Sequence, residues 1–147
     1  MNYGYVKVAA AVPRVKVADC KFNASEIEKE IIIADGKGVQ IIAFPELCIT
    51  GYTCGDLFAQ QLLLEEAEMG LIQILNNTRQ MDIISILGMP VALNGVLLNA
   101  AVVIQKGRAG AAGSPGRCPR CNTAPRSPGR RPPPRCPPSA PTKTYPP

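Results

Sequence analysis

The sequence contains no histidine and no tryptophan, and only 5% of its 147 residues are aromatic. Without histidine the chain offers no imidazole base near neutral pH and lacks the commonest nitrogen ligand for a metal ion. Long apolar stretches are missing too, since the uninterrupted runs fall far short of the about 18 residues that read as a membrane span. The opening Met1-Asn2-Tyr3-Gly4 has no basic segment followed by an apolar one, so no export signal is expected and the cytoplasm is the default compartment. The length suits one domain.

Other absences are unevenly placed along the chain. No acidic residue and no Val, Ile, Leu, Met or Phe occurs after Gly107, whereas 12 of the 15 prolines do. Residues 1–107 hold 8 basic and 11 acidic side chains, a net charge of −3, while residues 108–147 hold 8 basic and none acidic, a net charge of +8. The overall +5 therefore reports the tail and is no sign of a specific nucleic-acid partner. A tract with so little apolar surface cannot offset its ordering entropy, and residues 108–147 are expected to be disordered. That leaves residues 1–107 to form the folded part.

Within that part, hydrophobic periodicity predicts an α/β order. Val6 to Val12 reads as a buried strand stopped by Pro13. Asn23 and Glu26 have the spacing of a capping box, which predicts a helix start just before Ile27 and an end at Gly36 to Gly38. Val39 to Phe44 is a second strand, and the short joins make the two strands parallel. A second helix is expected over about Leu57 to Arg79, with Leu64, Ala67, Leu71, Ile74 and Thr78 on its buried stripe. Asp82 to Met89 reads as a third strand interrupted by Pro90. Asn94-Gly95 signals a hairpin turn into a fourth strand, Leu97 to Gln105, and Lys106-Gly107 signals another turn. No strand is read beyond that turn, so the sheet is expected to keep an uncovered edge, open to self-association.

Catalytic groups in α/β sheets tend to project from loops at the carboxyl ends of strands. Phe44-Pro45-Glu46-Leu47 lies at such an end, and a carboxylate just beyond a buried strand is partly desolvated, which suits a general base. The same position also suits a glutamate that caps a backbone amide or faces solvent.

The stretch Val39 to Phe58, with FPELCITGYTCGDLF at its end, resembles the first catalytic motif of the nitrilase, or carbon–nitrogen hydrolase, superfamily. More narrowly, CGDLF, the opening VKVAAAVP and LLNAAVVIQKG at Leu97 to Gly107 are similar to the N-terminal glutaminase domain of the glutamine-dependent NAD synthetase family. The resemblance runs from about Tyr3 to Gly107. It implies part of a four-layer αββα sandwich, about the first four strands and two helices, and a Glu-Lys-Cys triad in which glutamate deprotonates cysteine, the thiolate attacks an amide carbon, and lysine stabilises the intermediate. Glu46 matches the glutamate. Tyr52 lies in the loop that helps shape the pocket. Lys143, in Pro141-Thr-Lys-Thr-Tyr-Pro-Pro147, looks like the family's lysine, although 35 unmatched residues separate it from Gly107.

No cysteine falls in the motif that carries the nucleophile. Cys48 alternates with Glu46 on an extended stretch, but a small buried hydrophobe is the better reading, and no Lys or Arg occurs between Lys37 and Arg79 to activate a thiol. The substrate implied is glutamine or another small amide. ATP and deamido-NAD belong to the family's separate synthetase domain, so no cofactor is expected in this chain. The chain is read as a fragment of such an amidase, inactive alone; the alternative is a non-catalytic interaction module acting through the sheet edge and the basic proline-rich tail. Cys118, Cys121 and Cys136 have the spacing of half a zinc site and lack a fourth ligand in the tail. Pro125 to Pro128 and Pro134 to Pro137 have the PxxP spacing that chance produces in such a tract. The change of composition after Gly107, with a family-like string returning at the end, points to a shifted reading frame or a misjoined segment.

Overall fold

The computed structural model describes residues 4–93, 96–114 and 144–145, with side-chain placement described through residue 110. The chain order is β1 (Val8–Ala10), α1 (Cys20–Gly36), β2 (Ile41–Ala43), a short 3-10 helix (Gly55–Ala59), α2 (Gln61–Asn77), β3 (Ile84–Leu93), β4 (Val96–Gln105), β5 (Arg108–Ser114) and a two-residue β6 (Thr144–Tyr145). They form a single sheet in the order β1-β2-β3-β4-β5-β6. β1, β2 and β3 are parallel; β3, β4 and β5 alternate in direction. The α/β class and the parallel start are as the sequence predicts.

Both helices lie on one face of the sheet. Their stripes, Ala24, Ile27 and Ile31 on α1 and Ala67, Leu71 and Ile74 on α2, are buried against Ile42, Leu87, Met89, Val102 and Ile104. The helices approach closely at Gly70, where an added Cβ would lie 3.4 Å from the Cys20 carbonyl oxygen and 3.5 Å from the Ala24 Cβ. The buried stripe of α2 keeps the expected Ala67, Leu71 and Ile74, but it starts at Leu63 with Leu64 only half-buried, takes in Gly70 and Leu75, and leaves Thr78 as the C-cap.

Five expectations are corrected. First, the chain does not leave the sheet at Gly107. Lys106 and Gly107 take φ of 50° and 72°, and β5 pairs with β4 from Gln105↔Arg108 to Asn99↔Ser114. β5 is mostly Ala and Gly, so its place comes from backbone hydrogen bonds that need no apolar side chains, which is why composition hid it. The edge of β4 is therefore covered, and the predicted disorder does not begin at residue 108. β6 in turn pairs with β5 through Ala109↔Tyr145 and Gly110↔Thr144. Second, α1 begins at Cys20, and its N-cap is Asp19, whose carboxylate accepts the Phe22 amide at 3.1 Å. Asn23 is inside the helix and has a different task, described below.

Third, β3 runs straight through Pro90. The amides and carbonyls of Ile84, Ile86 and Gly88 face the β2 side, as the bonds from Ile84 N to Gln40 O, Phe44 N to Ile86 O and Ile49 N to Gly88 O show. Pro90, two residues further on, aims its nitrogen to that same side after β2 has ended at Ala43, so no ladder bond is lost. Fourth, the second helical stretch is broken at Gln60, whose φ −88° and ψ 127° are extended. The fifth correction concerns Glu46 and follows with the site. Asn94-Gly95, Cys118, Cys121, Cys136, both PxxP segments and Lys143 lie outside the described residues.

Candidate active site

The loop that follows β2 is shaped by three local constraints. Leu47 adopts φ +52°, a left-handed conformation costly for a branched side chain, and its carbonyl accepts the amides of Thr50 at 3.2 Å and Gly51 at 2.7 Å. Glu46, before this turn, is exposed, whereas Leu47, Cys48 and Ile49 are buried.

Gly88 in β3 supplies the second constraint. A Cβ built there would lie 2.5 Å from the Leu47 nitrogen, 2.7 Å from the Glu46 Cα and 2.7 Å from the Pro45 oxygen. No other residue lets the loop backbone lie this close to the strand.

Asn23 is the third, although its spacing in sequence suggests a cap. It is 0% exposed. Its Nδ2 donates to the carbonyls of Lys16 at 2.8 Å and Ile49 at 2.9 Å, and its Oδ1 accepts the Lys16 amide at 2.7 Å. The Ala18 amide donates to Thr50 O at 2.8 Å in parallel. The segment before α1 is thereby tied to the loop that carries Glu46. A polar side chain buried in a helix, able to satisfy three backbone groups, is the signal that would have revealed this role.

On the open face of the sheet, the Asn99 side-chain amide of β4 donates to Glu46 Oε1. The pair lies beside Gly88, where the Pro45–Leu47 backbone occupies the space a side chain would take. Glu46, Asn99, Phe44, Ile86, Gly88 and Ala101 line a depression of about 330 Å³. The expectation of a partly desolvated carboxylate is corrected here: Glu46 faces solvent at the rim, since the loop turns it away from the core that takes Leu47 and Cys48. The arrangement holds a carboxylate by one oxygen beside an apolar hollow, where it can accept a proton from a group brought to the same side. Asn99 was missed as a site residue because its partner lies 53 positions away in sequence.

Tyr52, the expected pocket residue, is 71% exposed and does not line this depression. Lys143 lies outside the described residues, so its place relative to Glu46 is not part of this geometry. Cys48 is not beside Glu46 as a nucleophile. It points inward, its thiol donating to the Gly88 carbonyl at 3.5 Å, and burial pushes its pKa up to about 11. Cys20 is likewise pushed up to about 11, first by burial and then by the Glu66 carboxylate. Cys54 is buried and donates to Thr50 O at 3.1 Å. All three are free thiols packed as small hydrophobes. Among the described residues no cluster of three His, Cys, Asp or Glu side chains could hold a metal ion, and no helix is long and apolar enough to cross a membrane.

Comparison with known proteins gives this geometry a context. The chain is 30% identical over 106 residues to the glutamine-dependent NAD(+) synthetase of Mycobacterium leprae, an alignment that covers 72% of this chain and 16% of that protein. The structure superposes on the glutamine-dependent NAD(+) synthetase of Cytophaga hutchinsonii with a TM-score of 0.65 at 30% identity, covering 69% of this chain and 17% of that one. An amidase from Nesterenkonia sp. shares the fold at a TM-score of 0.60 and 19% identity, covering 73% of this chain and 41% of that one. The architecture is thus part of a nitrilase-type fold, and the chain spans about a sixth of the length of these synthetases. The carbon–nitrogen hydrolase family model matches residues 7–115, eight positions beyond the expected boundary and through all of β5, and the chain belongs to the carbon–nitrogen hydrolase family.

Proposed function

We propose that residues 7–115 supply the general base of a glutamine amidase, and that this base is Glu46. The observation that carries the reading is the hydrogen bond from Asn99 to Glu46 beside Gly88, which fixes a carboxylate at the rim of a hollow on a face free of the core thiols. In the reaction, Glu46 takes the proton of a cysteine thiol, and the thiolate attacks the carboxamide carbon. Ammonia leaves, and water then hydrolyses the thioester. In the glutamine-dependent NAD synthetases that the chain resembles, the ammonia serves amidation of deamido-NAD. Lys143 is the side chain assigned to oxyanion stabilisation by its motif.

The buried cysteines support a second element of the proposal: the chain alone does not turn over glutamine. Each is buried in the core, and two are held far from the thiolate state. The base role is tested in a chimera in which residues 7–115 replace the matching segment of the Mycobacterium leprae synthetase. Glutamine-dependent NAD formation is expected, with loss by about a hundredfold or more in Glu46→Gln and with ammonia-dependent NAD formation retained as evidence of folding. Equal glutamine-dependent rates for the chimera and its Glu46→Gln variant would sink the assignment.

A further inference from the structure

Among the described residues that line the hollow, Glu46 and Asn99 are the only ones with polar side chains. A site of this kind orients its ligand through those few groups. Asn99 stands on β4, opposite Pro90 of β3 on one side and Ser114 of β5 on the other, so its backbone is held from both directions. Its side chain is half-buried. A carboxylate only accepts hydrogen bonds, so the end of the Asn99 carboxamide that meets Glu46 is the Nδ2 donor. The other end, Oδ1, accepts a hydrogen bond from none of the residues whose side chains are described.

We propose that Asn99 is the residue that selects a primary carboxamide for this site: its Nδ2 holds Glu46, and its Oδ1 accepts an N–H of the substrate's NH2 group. The inference rests on Glu46 being the base. In that reaction the proton taken from the thiol passes from Glu46 to the amide nitrogen as the C–N bond breaks and ammonia leaves, so this nitrogen has to approach the carboxylate. Oδ1 is one carbon away from the nitrogen that bonds Glu46, and a group that reaches the carboxylate therefore comes within reach of Oδ1 as well. A primary amide brings two hydrogens on one nitrogen, one for each acceptor. The carboxylate product brings none, so the pair that receives the amide repels the acid formed from it. An ester, with oxygen in place of the NH2 group, also leaves Oδ1 without a donor. Lysine or arginine at position 99 would hold Glu46 but present no acceptor, and a hydrocarbon side chain would do neither.

The donor end is read by NMR on the 147-residue chain. The Asn99 side-chain amide resonances are expected to move as Glu46 is titrated and to stay still in Glu46→Gln; resonances that stay still in the unsubstituted chain overturn the inference. The acceptor end is read in the synthetase chimera, by glutamate formation from glutamine and from its γ-methyl ester. Loss of the hold on Glu46 slows both substrates alike, and only loss of the acceptor separates them. Asn99→Leu and the smaller Asn99→Ala are therefore expected to lower kcat/KM for glutamine about tenfold more than for the ester, with the remaining ester hydrolysis showing that the site still folds. Equal losses on the two substrates in both variants, or no loss on either, overturn the selective role and leave the base role standing. The base role fails on a different result, a Glu46→Gln chimera that hydrolyses both substrates at the full rate.

Discussion

The two faces of the sheet divide the work of the molecule. The covered face buries Ile42, Leu87, Met89, Val102 and Ile104 beneath the two helices, and all three described thiols sit in that core. The open face carries Glu46, Asn99 and the hollow between them. Strand alternation creates the division: a one-residue step carries the chain from Ile42 in the core to Ala43 on the open side. The lesson is that stability and chemistry are separable here except at the seam, where Gly88 and Asn23 belong to both. Gly88 sets the distance between strand and loop, and Asn23 reaches from the helix layer to the loop backbone.

Substitutions on the covered face should have the largest effect on folding and none specific to the site. Leu87→Ala is expected to cost about 2–5 kcal/mol in urea unfolding, from lost burial plus the cavity left behind. An effect below about 1 kcal/mol would mean that the helix layer is not packed on the sheet as described. At the seam, Asn23→Ala strands the buried Ile49 carbonyl and the part-buried Lys16 amide and carbonyl, for an expected loss of about 1–3 kcal/mol. Unlike Leu87→Ala, it should also speed hydrogen exchange at the Ala18 amide, whose partner is Thr50 O. If exchange there is unchanged, Asn23 is an ordinary core residue and no clamp.

Gly88→Ala is predicted to cost about 1–3 kcal/mol, because its Cβ would have to displace loop backbone 2.5–2.7 Å away. The displacement should show as altered amide shifts over Pro45 to Gly51 with the covered face unperturbed. The thiols give a further contrast through pH. Cys20 and Cys48 are raised from 9.0 to about 11 in the folded state. Between these values the unfolded chain has lost those protons and the folded chain still holds them, so stability falls as pH rises from 9 to 11, by about 1.4 kcal/mol per pH unit per thiol. A stability profile flat across that window would place the two thiols outside the core.

Much of this division was legible in sequence. The short apolar runs stopped by Pro13 and Pro45 and most of the α2 stripe were readable as layers, and the Phe44-Pro45-Glu46 position after a strand pointed to the carboxylate. What escaped reading were features that depend on partners distant in sequence. Asn23 has the spacing of a cap, yet Asp19 takes that role and Asn23 turns to backbone groups across the loop. β5 carries no hydrophobic pattern, and only the presence of β4 beside it makes Arg108–Ser114 a strand. Pro90 reads as a breaker until the early end of β2 shows that its missing amide faces no acceptor. The exposure of Glu46 follows from the left-handed turn at Leu47, a conformation that nothing in a leucine announces.

The separation of the proposed base, Glu46, from the thiols is tested most directly by ammonia release from glutamine with the purified 147-residue chain and its Glu46→Gln variant. With Glu46 on the open face and Cys20, Cys48 and Cys54 locked in the covered core, neither protein should release ammonia above the uncatalysed rate. Sustained release by the unsubstituted chain, abolished in Glu46→Gln, would contradict the account, since it would require a nucleophile within reach of Glu46.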